Sequence, residues 1–253
     1  MKIISIVNQK GGTGKSTTSI GLGAYLAYFG KKVLLIDLDP QANASSGLGV
    51  RDRSKGIYEV LGGEIPLEHS ISATRGNLWV IPANENLAGL GVEIVNMPER
   101  EFLMAKILSK LGPEDFDFVF IDTPPSLGLT TINGLVASDR VLIPVQAEYY
   151  ALEGLSQLLN TINLVKENLK PDLDILGAVL TMYDRRARLS GEVWQELYKH
   201  FPYKIFRTII PRNVRLAEAP SFGKTILEYA PHSRGAKAYK RLAKEFLILN
   251  HKS

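Results

Sequence analysis

The residues Asn8-Gln9-Lys10-Gly11-Gly12-Thr13-Gly14-Lys15-Ser16-Thr17 decide the fold. An apolar, β-branched run at residues 3–7 precedes them, and a segment of helical character at residues 16–29 follows. A phosphate-binding loop requires this order of strand, glycine turn and helix. Glycines let the backbone N–H groups turn towards phosphate oxygens, and the start of the helix supplies more of these groups. The stretch therefore predicts a loop that cradles the phosphates of ATP.

The side chains of this loop have distinct expected roles. Lys15 is placed to reach the β- and γ-phosphates, the Ser16 hydroxyl to bind Mg²⁺, and Thr17 to donate towards the α-phosphate. The ordinary pattern, G-x-x-x-x-G-K-[ST], requires glycine at position 9, where this chain has Gln9 followed by an additional lysine, Lys10. The match is therefore to the deviant pattern K-G-G-x-G-K-[ST]. The nucleotide-binding residues expected in the loop are Lys10, Gly11, Gly12, Thr13, Gly14, Lys15, Ser16 and Thr17.

Two further apolar runs end in aspartates. Residues 118–121 lead into Asp122, which is expected to hold the Mg²⁺ shell through water, and residues 33–36 lead into Asp37 and Asp39. Asp37 is expected to support the Mg²⁺ shell or its own loop. Ligands of open α/β sheets bind beyond the carboxyl ends of the strands, so the aspartates and the phosphate loop should meet there. One strand-end aspartate alone would more often cap a helix or a turn.

Similar apolar runs of four to six residues recur along the chain, as in parallel strands that are buried on both faces. Their alternation with helical segments predicts one P-loop domain over residues 1–253. Its fold class is α/β, a doubly wound, mostly parallel sheet with helices on both faces. Strands are predicted at residues 3–7, 33–36, 78–81, 118–121, 141–145 and 175–180. Helices are predicted at residues 16–29, 99–111, 152–169, 190–200 (with Ser190 as N-cap) and 234–249. The order of elements within residues 50–99 stays open.

The deviant loop resembles that of the ParA/MinD group of P-loop ATPases. Residues 144–155 and 210–221 are similar to the Soj/ParA branch, which partitions chromosomes and plasmids, and the resemblance covers nearly the whole chain. It implies slow, Mg²⁺-dependent hydrolysis of ATP, in which Lys10 reaches the partner subunit's nucleotide and Asp39 positions the attacking water. It also implies that Pro211 and Asn213 border the adenine. Because the first strand begins so near residue 1, we expect the short form without a helix-turn-helix extension.

The same resemblance implies the partners. An ATP-dependent homodimer would bind nonspecific double-stranded DNA and release it on hydrolysis, and a ParB-like centromere-binding protein would stimulate hydrolysis. The expected location is the cytoplasm, on the nucleoid. The sequence shows neither a signal peptide nor the run of about 20 apolar residues that spans a bilayer, so no membrane partner is expected. The lack of cysteine excludes disulfides and thiolate-held metal clusters.

Positive charge is concentrated towards the C-terminal end of the chain. Residues 1–182 carry 15 Lys and Arg against 20 Asp and Glu, whereas residues 183–253 carry 15 against 6. In the last predicted helix, positions 237, 240, 241 and 244 follow the spacing of one helix face. No base-reading motif is present, so the expected ligand is the DNA phosphate backbone, and a solvated lysine-rich surface is the alternative. The candidate DNA-binding residues are Arg185, Arg186, Arg188, Arg215, Lys237, Lys240, Arg241 and Lys244.

Three other classes of protein share parts of this pattern. A MinD-like membrane ATPase would end in an amphipathic anchor, whereas residues 246–249 form a consecutive apolar run better suited to core packing. Relatives of the nitrogenase iron protein need bridging cysteines, which this chain lacks. A nucleotide-binding scaffold without turnover is separated only by assay, although the presence of both Asp39 and Asp122 argues against it.

Overall fold

The strands in the part of the chain that the structure describes form one sheet. The computed structural model describes residues 1–148 and 151–250, so Tyr149 and Tyr150 of the 144–155 segment lie outside the described residues. The strands are β1 (Lys2–Ile6), β2 (Val33–Asp37), β3 (Ser72–Arg75), β4 (Leu78–Ile81), β5 (Phe118–Asp122), β6 (Arg140–Gln146) and β7 (Asp174–Thr181). In the described part of the chain they have the order β3-β4-β2-β5-β1-β6-β7, and neighbouring strands are parallel except for β3 and β4.

Helices connect most of the strands. They are α1 (Lys15–Tyr28), α2 (Asn43–Gly47), α3 (Ile57–Leu61), α4 (Leu87–Glu93), α5 (Leu103–Leu108), α6 (Leu129–Val136), α7 (Ala151–Asn168), α8 (Arg188–His200), α9 (Val214–Glu218), α10 (Ile226–Tyr229) and α11 (Arg234–Asn250). Short 3-10 segments occur at Leu67–His69, Arg100–Phe102 and Ala219–Phe222. In the described residues no helix combines the length and the apolar character that crossing a membrane requires.

The sheet is buried on both faces, as the continuous apolar runs predict. Successive strand residues point to opposite faces, so Val33 and Leu35 of β2 pack with α1 and α11, whereas Leu34 and Ile36 pack with α3 and α5 on the other face. Phe246 of α11 is fully buried and packs edge-on against Phe118. The run at 246–249 is therefore anchored in the core at its first residue, as expected for core packing.

Strand β1 is the point at which the direction of the connections reverses. It lies between β5 and β6. The connection from β1 to β2 runs through α1 on one face of the sheet, whereas the connection from β5 to β6 runs through α6 on the other face. A crevice forms at such a switch point, outside the carboxyl ends of the strands, because the two connections diverge there. The predicted doubly wound fold is confirmed.

Two helix predictions were wrong in detail. The predicted helix at 99–111 is shorter, because Glu99 has a φ of 53°, in the left-handed region, and a 3-10 turn precedes α5. Ser190 is not the N-cap of α8; the helix begins at Arg188 and its cap position is Ala187. The Ser190 hydroxyl instead accepts a hydrogen bond from the Asp184 N–H at 3.4 Å, which ties the preceding loop to the helix.

The stretch after α8 extends the sheet beyond β7. The Ala178 N–H donates to the Lys204 carbonyl at 2.9 Å, and the Ile210 N–H donates to the Leu180 carbonyl at 2.9 Å. The extension continues past the end of β7, where Pro211 forms a parallel bridge with Tyr183. This pairing carries residues 211–213 to the edge of the sheet at which β1, β2 and β5 end.

Candidate nucleotide-binding site

The loop between β1 and α1 turns sharply at two glycines. Gly12 and Gly14 have φ of 76° and 86°, a region that residues with a Cβ rarely adopt. Gly14 also occupies the cap position of α1 and offers no side chain to the first N–H groups of the helix. These N–H groups are therefore available to an anion, which is how helix starts bind phosphate.

Two side chains fix this loop against neighbouring strands. Asn8 Nδ2 donates to the Pro144 carbonyl at 2.7 Å, and Asn8 Oδ1 accepts from the Lys10 N–H at 2.9 Å. The Thr181 hydroxyl, at the end of β7, donates to the Thr13 carbonyl at 2.7 Å. Because the loop is held before a ligand arrives, little ordering entropy is lost on binding.

Lys15 is buried within the loop, with 6% of its surface exposed. Its Nζ donates to the Lys10 carbonyl at 3.4 Å. Burial lowers the pKa of Lys15, and the charges of Asp122 and Asp39 raise it in opposition. An added phosphate would favour the charged form further, so the ammonium group is suited to neutralise an anion at this position.

Asp37 and Asp122 are register partners on β2 and β5, and both are fully buried. Asp37 Oδ2 accepts from the Ser45 N–H at 2.8 Å and from its hydroxyl at 2.7 Å, which commits this carboxylate to α2. Asp122 Oδ1 accepts from the Ser19 hydroxyl at 2.9 Å. Asp122 Oδ2 is buried and has no hydrogen-bond partner among the residues that the structure describes.

Both carboxyl groups hold protons more tightly than an exposed aspartate does. Burial raises the pKa of Asp122 to about 7, and the charge of Asp37 adds to this, whereas the hydroxyls of Ser16 and Ser19 and the charge of Lys15 lower it. Burial likewise raises the pKa of Asp37 to about 6, against the hydrogen bonds from Ser45. A positive charge brought in with a ligand would stabilise the ionised forms.

These oxygens suit a hard cation. An unpaired buried carboxylate oxygen costs free energy, and Mg²⁺ with its bound water would supply the missing partner for Asp122 Oδ2. Ser16 and Ser19 are three residues apart on α1 and thus lie on the same side of the helix, the side from which Ser19 contacts Asp122. Because Asp37 accepts hydrogen bonds from the N–H and the hydroxyl of Ser45, it holds the surrounding loop in place.

Asp39 follows β2 in a constrained turn. It is 5% exposed, and its Oδ1 accepts from the Gln41 N–H at 3.0 Å. Its carbonyl accepts from the N–H of Ala42, which has a φ of 51° in the left-handed region. Strain of this kind persists only where the surroundings impose it. The turn presents Asp39 to the same cleft as Lys15 and Ser16.

The phosphate loop opens into two adjoining cavities. The first, the nucleotide cleft, has a volume of about 580 Å³ and is bounded by the loop, the Asp39 turn, Pro125 and residues 216–221. The second, the base recess, has a volume of about 370 Å³ and is lined by Pro211, Asn213, Tyr239 and the end of β7. The two share Gly14, Thr17, Met182, Leu216 and Ala217. Their union fits a molecule with a phosphate chain at one end and a flat, largely apolar ring at the other.

Asn213 also has a structural role in the base recess. It is the N-cap of α9, and its Oδ1 accepts from the Arg215 N–H at 3.0 Å. The Oδ1 is therefore used within the protein, and the Nδ2 group is left as the donor for a ligand. Met182, which lines both cavities, has a φ of 52° and marks another strained position at the site.

Lys10 does not point into its own site as Lys15 does. Its Nζ forms an ion pair with Glu148 Oε2 at 3.4 Å, and Arg212 Nη2 lies 3.5 Å from the other oxygen of the same carboxylate. Gln146 Nε2 also donates to Glu148 Oε1 at 2.6 Å. The side chains of Lys10 and Glu148 are 36% and 43% exposed, so this pair is screened and readily exchanged.

The candidate DNA-binding residues lie in two groups. The four candidate residues on α11, Lys237, Lys240, Arg241 and Lys244, are all exposed, and they form one face of that helix as the spacing predicts. Arg215 is exposed on α9 and pairs with Glu218 at 2.8 Å. The second group follows β7, and two of its members pair with neighbouring carboxylates, Arg186 with Asp184 and Arg188 with Glu192, while Arg185 is exposed. Their DNA contact stays a prediction.

Several side chains of the site escaped sequence reasoning. Ser19 could have been found, because a hydroxyl three residues after Ser16 faces the same way on a helix. Ser45, Glu148 and Thr181 could not, since each meets its partner only through the fold, over separations that range from 8 residues for Ser45 to 168 for Thr181.

The raised carboxyl pKa values predict a stability that depends on pH in the protein without nucleotide. A group whose pKa is higher in the folded state stabilises the fold at low pH, and this contribution is lost as pH rises towards the folded-state pKa. Between pH 5 and pH 8 the wild type should lose roughly 2 to 3 kcal/mol more unfolding free energy than Asp122→Asn, measured by urea denaturation. Asp52→Asn, at an exposed position, should follow the wild type. An equal pH dependence in wild type and Asp122→Asn would show that the pKa of Asp122 is not raised in the folded protein.

Fold and site together define a P-loop nucleoside triphosphatase with the deviant loop. Residues 1–175 match a family model described as an AAA domain. The chain is 54% identical to the sporulation initiation inhibitor protein Soj of Bacillus subtilis, an alignment that covers 96% of this chain and 97% of that one. It is 51% identical to the chromosome-partitioning ATPase Soj of Thermus thermophilus, over 96% of this chain and 94% of that one. The chain belongs to the Soj/ParA family of chromosome-partitioning ATPases.

A solved structure extends the comparison to the whole fold. Cobyrinic acid a,c-diamide synthase from Mycobacterium smegmatis, with a bound ATP analogue and magnesium, superposes with a TM-score of 0.87. It is 36% identical and covers 100% of this chain and 96% of its own. The higher identity to the Soj proteins decides the family. The predicted resemblance, fold class and ATPase class are therefore confirmed, whereas the individual site roles stay predictions.

Proposed function

We propose that the protein is an ATP-driven dimerising switch for chromosome or plasmid partitioning, which binds nonspecific double-stranded DNA in its ATP state and releases it on hydrolysis. The observation that carries the proposal is the contact between the cationic helix α11 and the nucleotide site. Tyr239, which lies between Lys237 and Lys240 on α11, also lines the base recess. Its hydroxyl lies 3.2 Å from the Thr18 hydroxyl at the start of α1. A change in the bound nucleotide therefore acts directly on α11, the helix that carries the cationic face.

The chemistry at one site needs few groups. Ser16 together with Asp122, acting through water, would hold Mg²⁺, which would neutralise charge on the β- and γ-phosphates. Lys15 adds a second positive charge on the same phosphates. Asp39, fixed by its turn at the edge of the nucleotide cleft, orients the water that attacks the γ-phosphate. Pro211 and Asn213 wall the adenine in the base recess.

Dimerisation is the step that Lys10 serves. In the single subunit Lys10 is held by Glu148, and this exposed pair costs little to separate. The phosphates of a nucleotide in a second subunit would offer Lys10 a stronger partner than one screened carboxylate. Closure of two subunits around two nucleotides would thus move Lys10 from Glu148 to the partner's ATP.

DNA binding follows from bringing two cationic surfaces together. Each subunit presents Lys237, Lys240, Arg241 and Lys244 on one exposed helix face, with Arg215 on the neighbouring helix. A dimer doubles the number of phosphate contacts on one duplex, and each contact releases counterions, so affinity rises steeply on dimerisation. A ParB-like centromere-binding protein would then trigger hydrolysis and release, in the cytoplasm at the nucleoid.

Charge reversal tests the DNA surface. Lys237→Glu together with Lys240→Glu should weaken DNA binding by the ATP-bound protein and leave its ATPase activity without DNA nearly unchanged. Each lost phosphate contact removes about 0.9 from the slope of log K against log salt, so two contacts per subunit should flatten the slope of a dimer by roughly 3 to 4. Filter binding to unrelated duplexes at several salt concentrations measures this slope.

A matched control separates the effect of losing the α11 surface from the effect of lowering the net charge. Lys166→Glu on α7 is also an exposed lysine, but it lies on the opposite face of the sheet from α11. It should reduce DNA binding far less than the α11 pair. If the α11 variant bound DNA like the wild type at every salt concentration, the cationic face would be a solubility feature and the proposed surface would be wrong.

A further inference from the structure

A third cavity opens beside the nucleotide cleft, on the side of β3. Its volume is about 1140 Å³, and it shares Ser46, Pro220 and Ser221 with the nucleotide cleft. Three arginines line it, of which Arg51 and Arg53 follow α2 and Arg75 ends β3. We call it the arginine cleft. None of the steps proposed above uses these arginines.

The arginine cleft carries positive charge that nearby carboxylates leave largely unpaired. In the described part of the chain neither Arg51 nor Arg53 forms an ion pair. Arg53 donates only to neutral groups, from Nη2 to the Ser46 hydroxyl at 2.7 Å and from Nε to the Val50 carbonyl at 3.4 Å. Asp52, which also lines the cleft, accepts instead from the N–H and the hydroxyl of Ser54 at 3.0 and 2.7 Å. The Arg51 guanidinium and the Nη1 group of Arg53 are therefore available to an anion, and guanidinium donors match phosphate oxygens.

The walls of the arginine cleft are held in place. Arg75 Nη2 donates to the carbonyls of Leu48 at 3.2 Å and Gly223 at 2.9 Å, and its Nε pairs with Glu228 at 3.2 Å. Gly49 and Gly223 both have positive φ and meet so closely that a Cβ on Gly223 would lie 2.8 Å from the Gly49 Cα. The cleft thus exists before a ligand binds, which lowers the cost of binding.

An aromatic ring stands at the rim of the arginine cleft. Phe222 lines the cleft and is 63% exposed, so much of its ring is open to a ligand. Its ring stacks on Tyr229 with centroids 5.1 Å apart and planes at 22°. One face of Phe222 is therefore supported and the ring is oriented, as in platforms on which nucleobases stack. A cleft for an acidic peptide would need the arginines but would have no use for this ring.

We propose that the arginine cleft is a second nucleotide-binding site, in which Arg51 and Arg53 hold a phosphate group and Phe222 stacks on the base. The ligand class is a phosphate attached to a nucleoside, supplied by a free nucleotide or by the end of a nucleic-acid strand. Because the cleft joins the nucleotide cleft at Ser46, Pro220 and Ser221, a ligand there would contact the wall of the ATP site. The proposal does not depend on DNA partitioning by the protein.

The test uses the full chain with its phosphate loop disabled. In a Lys15→Ala background, AMP carrying a fluorescent N-methylanthraniloyl group on the ribose should bind saturably, as followed by anisotropy. Adding Arg51→Gln and Arg53→Gln should weaken this binding at least about tenfold. Adding Phe222→Ala should weaken it about fivefold or more through lost stacking. Lys55→Gln is the matched control, since Lys55 is an exposed cation of the same loop but does not line the cleft.

Competition identifies the source of the ligand. Displacement by AMP points to a free nucleotide, and displacement by 5′-phosphorylated tetrathymidylate but not by its unphosphorylated form points to a strand end; both support the proposal. Displacement by polyglutamate as effective as that by AMP, with no effect of Phe222→Ala, would show a peptide-binding anion cleft and overturn it. Binding that is absent, or that the two arginine substitutions leave unchanged, would overturn it as well. Because the test requires neither ATP-driven dimerisation nor binding to duplex DNA, failure here leaves the partitioning proposal untouched.

Discussion

Replacing Lys15 with alanine is expected to weaken Mg²⁺-ATP binding at least about a hundredfold, which corresponds to roughly 2.7 kcal/mol. Lys15 is buried beneath the loop, and its Nζ is the ammonium group placed to meet the β- and γ-phosphates. Without it, the negative charge of the phosphates would face Asp39 and Asp122 with Mg²⁺ alone to offset it. Isothermal titration calorimetry with a non-hydrolysable ATP analogue measures the loss.

Lys10→Ala is the matched control, because it removes the other lysine of the same loop. Lys10 pairs with Glu148 and does not enter its own site, so the variant should bind ATP as a monomer with nearly wild-type affinity. It should fail to dimerise with ATP in gel filtration. An unchanged ATP affinity in Lys15→Ala would mean that the phosphate loop is misassigned, and normal dimerisation of Lys10→Ala would reduce Lys10 to a surface lysine.

Replacing Asp39 with alanine is expected to leave ATP binding intact and to lower turnover at least about a hundredfold. The carboxylate is held by the Gln41 N–H in a strained turn at the edge of the nucleotide cleft, where it can position a water molecule. The variant should accumulate as an ATP-bound dimer, because closure no longer leads to hydrolysis. Single-turnover phosphate release and gel filtration measure the two effects.

Asp172→Ala is a control for the loss of a carboxylate away from the nucleotide cleft. Asp172 is exposed in the turn before β7, at the opposite edge of the sheet from the nucleotide cleft. It should hydrolyse ATP at the wild-type rate. Wild-type turnover in Asp39→Ala would remove the proposed role of Asp39, whereas loss of ATP binding in that variant would show that Asp39 acts on the nucleotide itself.

The parts of the fold that sequence reasoning predicted are those with a local signal. The spacing of Gly12, Gly14 and Lys15 specifies the phosphate loop, and continuous apolar runs specify the six buried parallel strands. Strand β3 was missed because its sequence, Ser-Ala-Thr-Arg, carries no apolar run and it pairs antiparallel at the edge of the sheet. The short helices of residues 50–99 have too few turns to show a periodicity.

The same distinction applies to the site. Asp37, Asp39 and Asp122 could be predicted, because each follows a recognisable strand and the carboxyl ends of parallel strands converge. The ion pair between Lys10 and Glu148 joins residues that are 138 positions apart, and no local sequence pattern predicts it. The arginine cleft is likewise built from segments that only the sheet and two close glycines bring together. Pro211 and Asn213 came from family resemblance, and their place beside the phosphate loop depends on the pairing after β7.

In the proposed function, ATP controls the binding of DNA by this protein. The most direct measurement is a titration of the wild-type protein with duplexes of unrelated sequence in the presence of Mg²⁺-ATP, Mg²⁺-ADP or no nucleotide, run beside a pull-down with anionic liposomes. We predict tight, salt-sensitive and sequence-independent binding to DNA with ATP, at least about tenfold weaker binding in the other two states, and no retention on liposomes. Equal DNA affinity in all three states would contradict the account, and so would ATP-dependent binding to liposomes without binding to DNA.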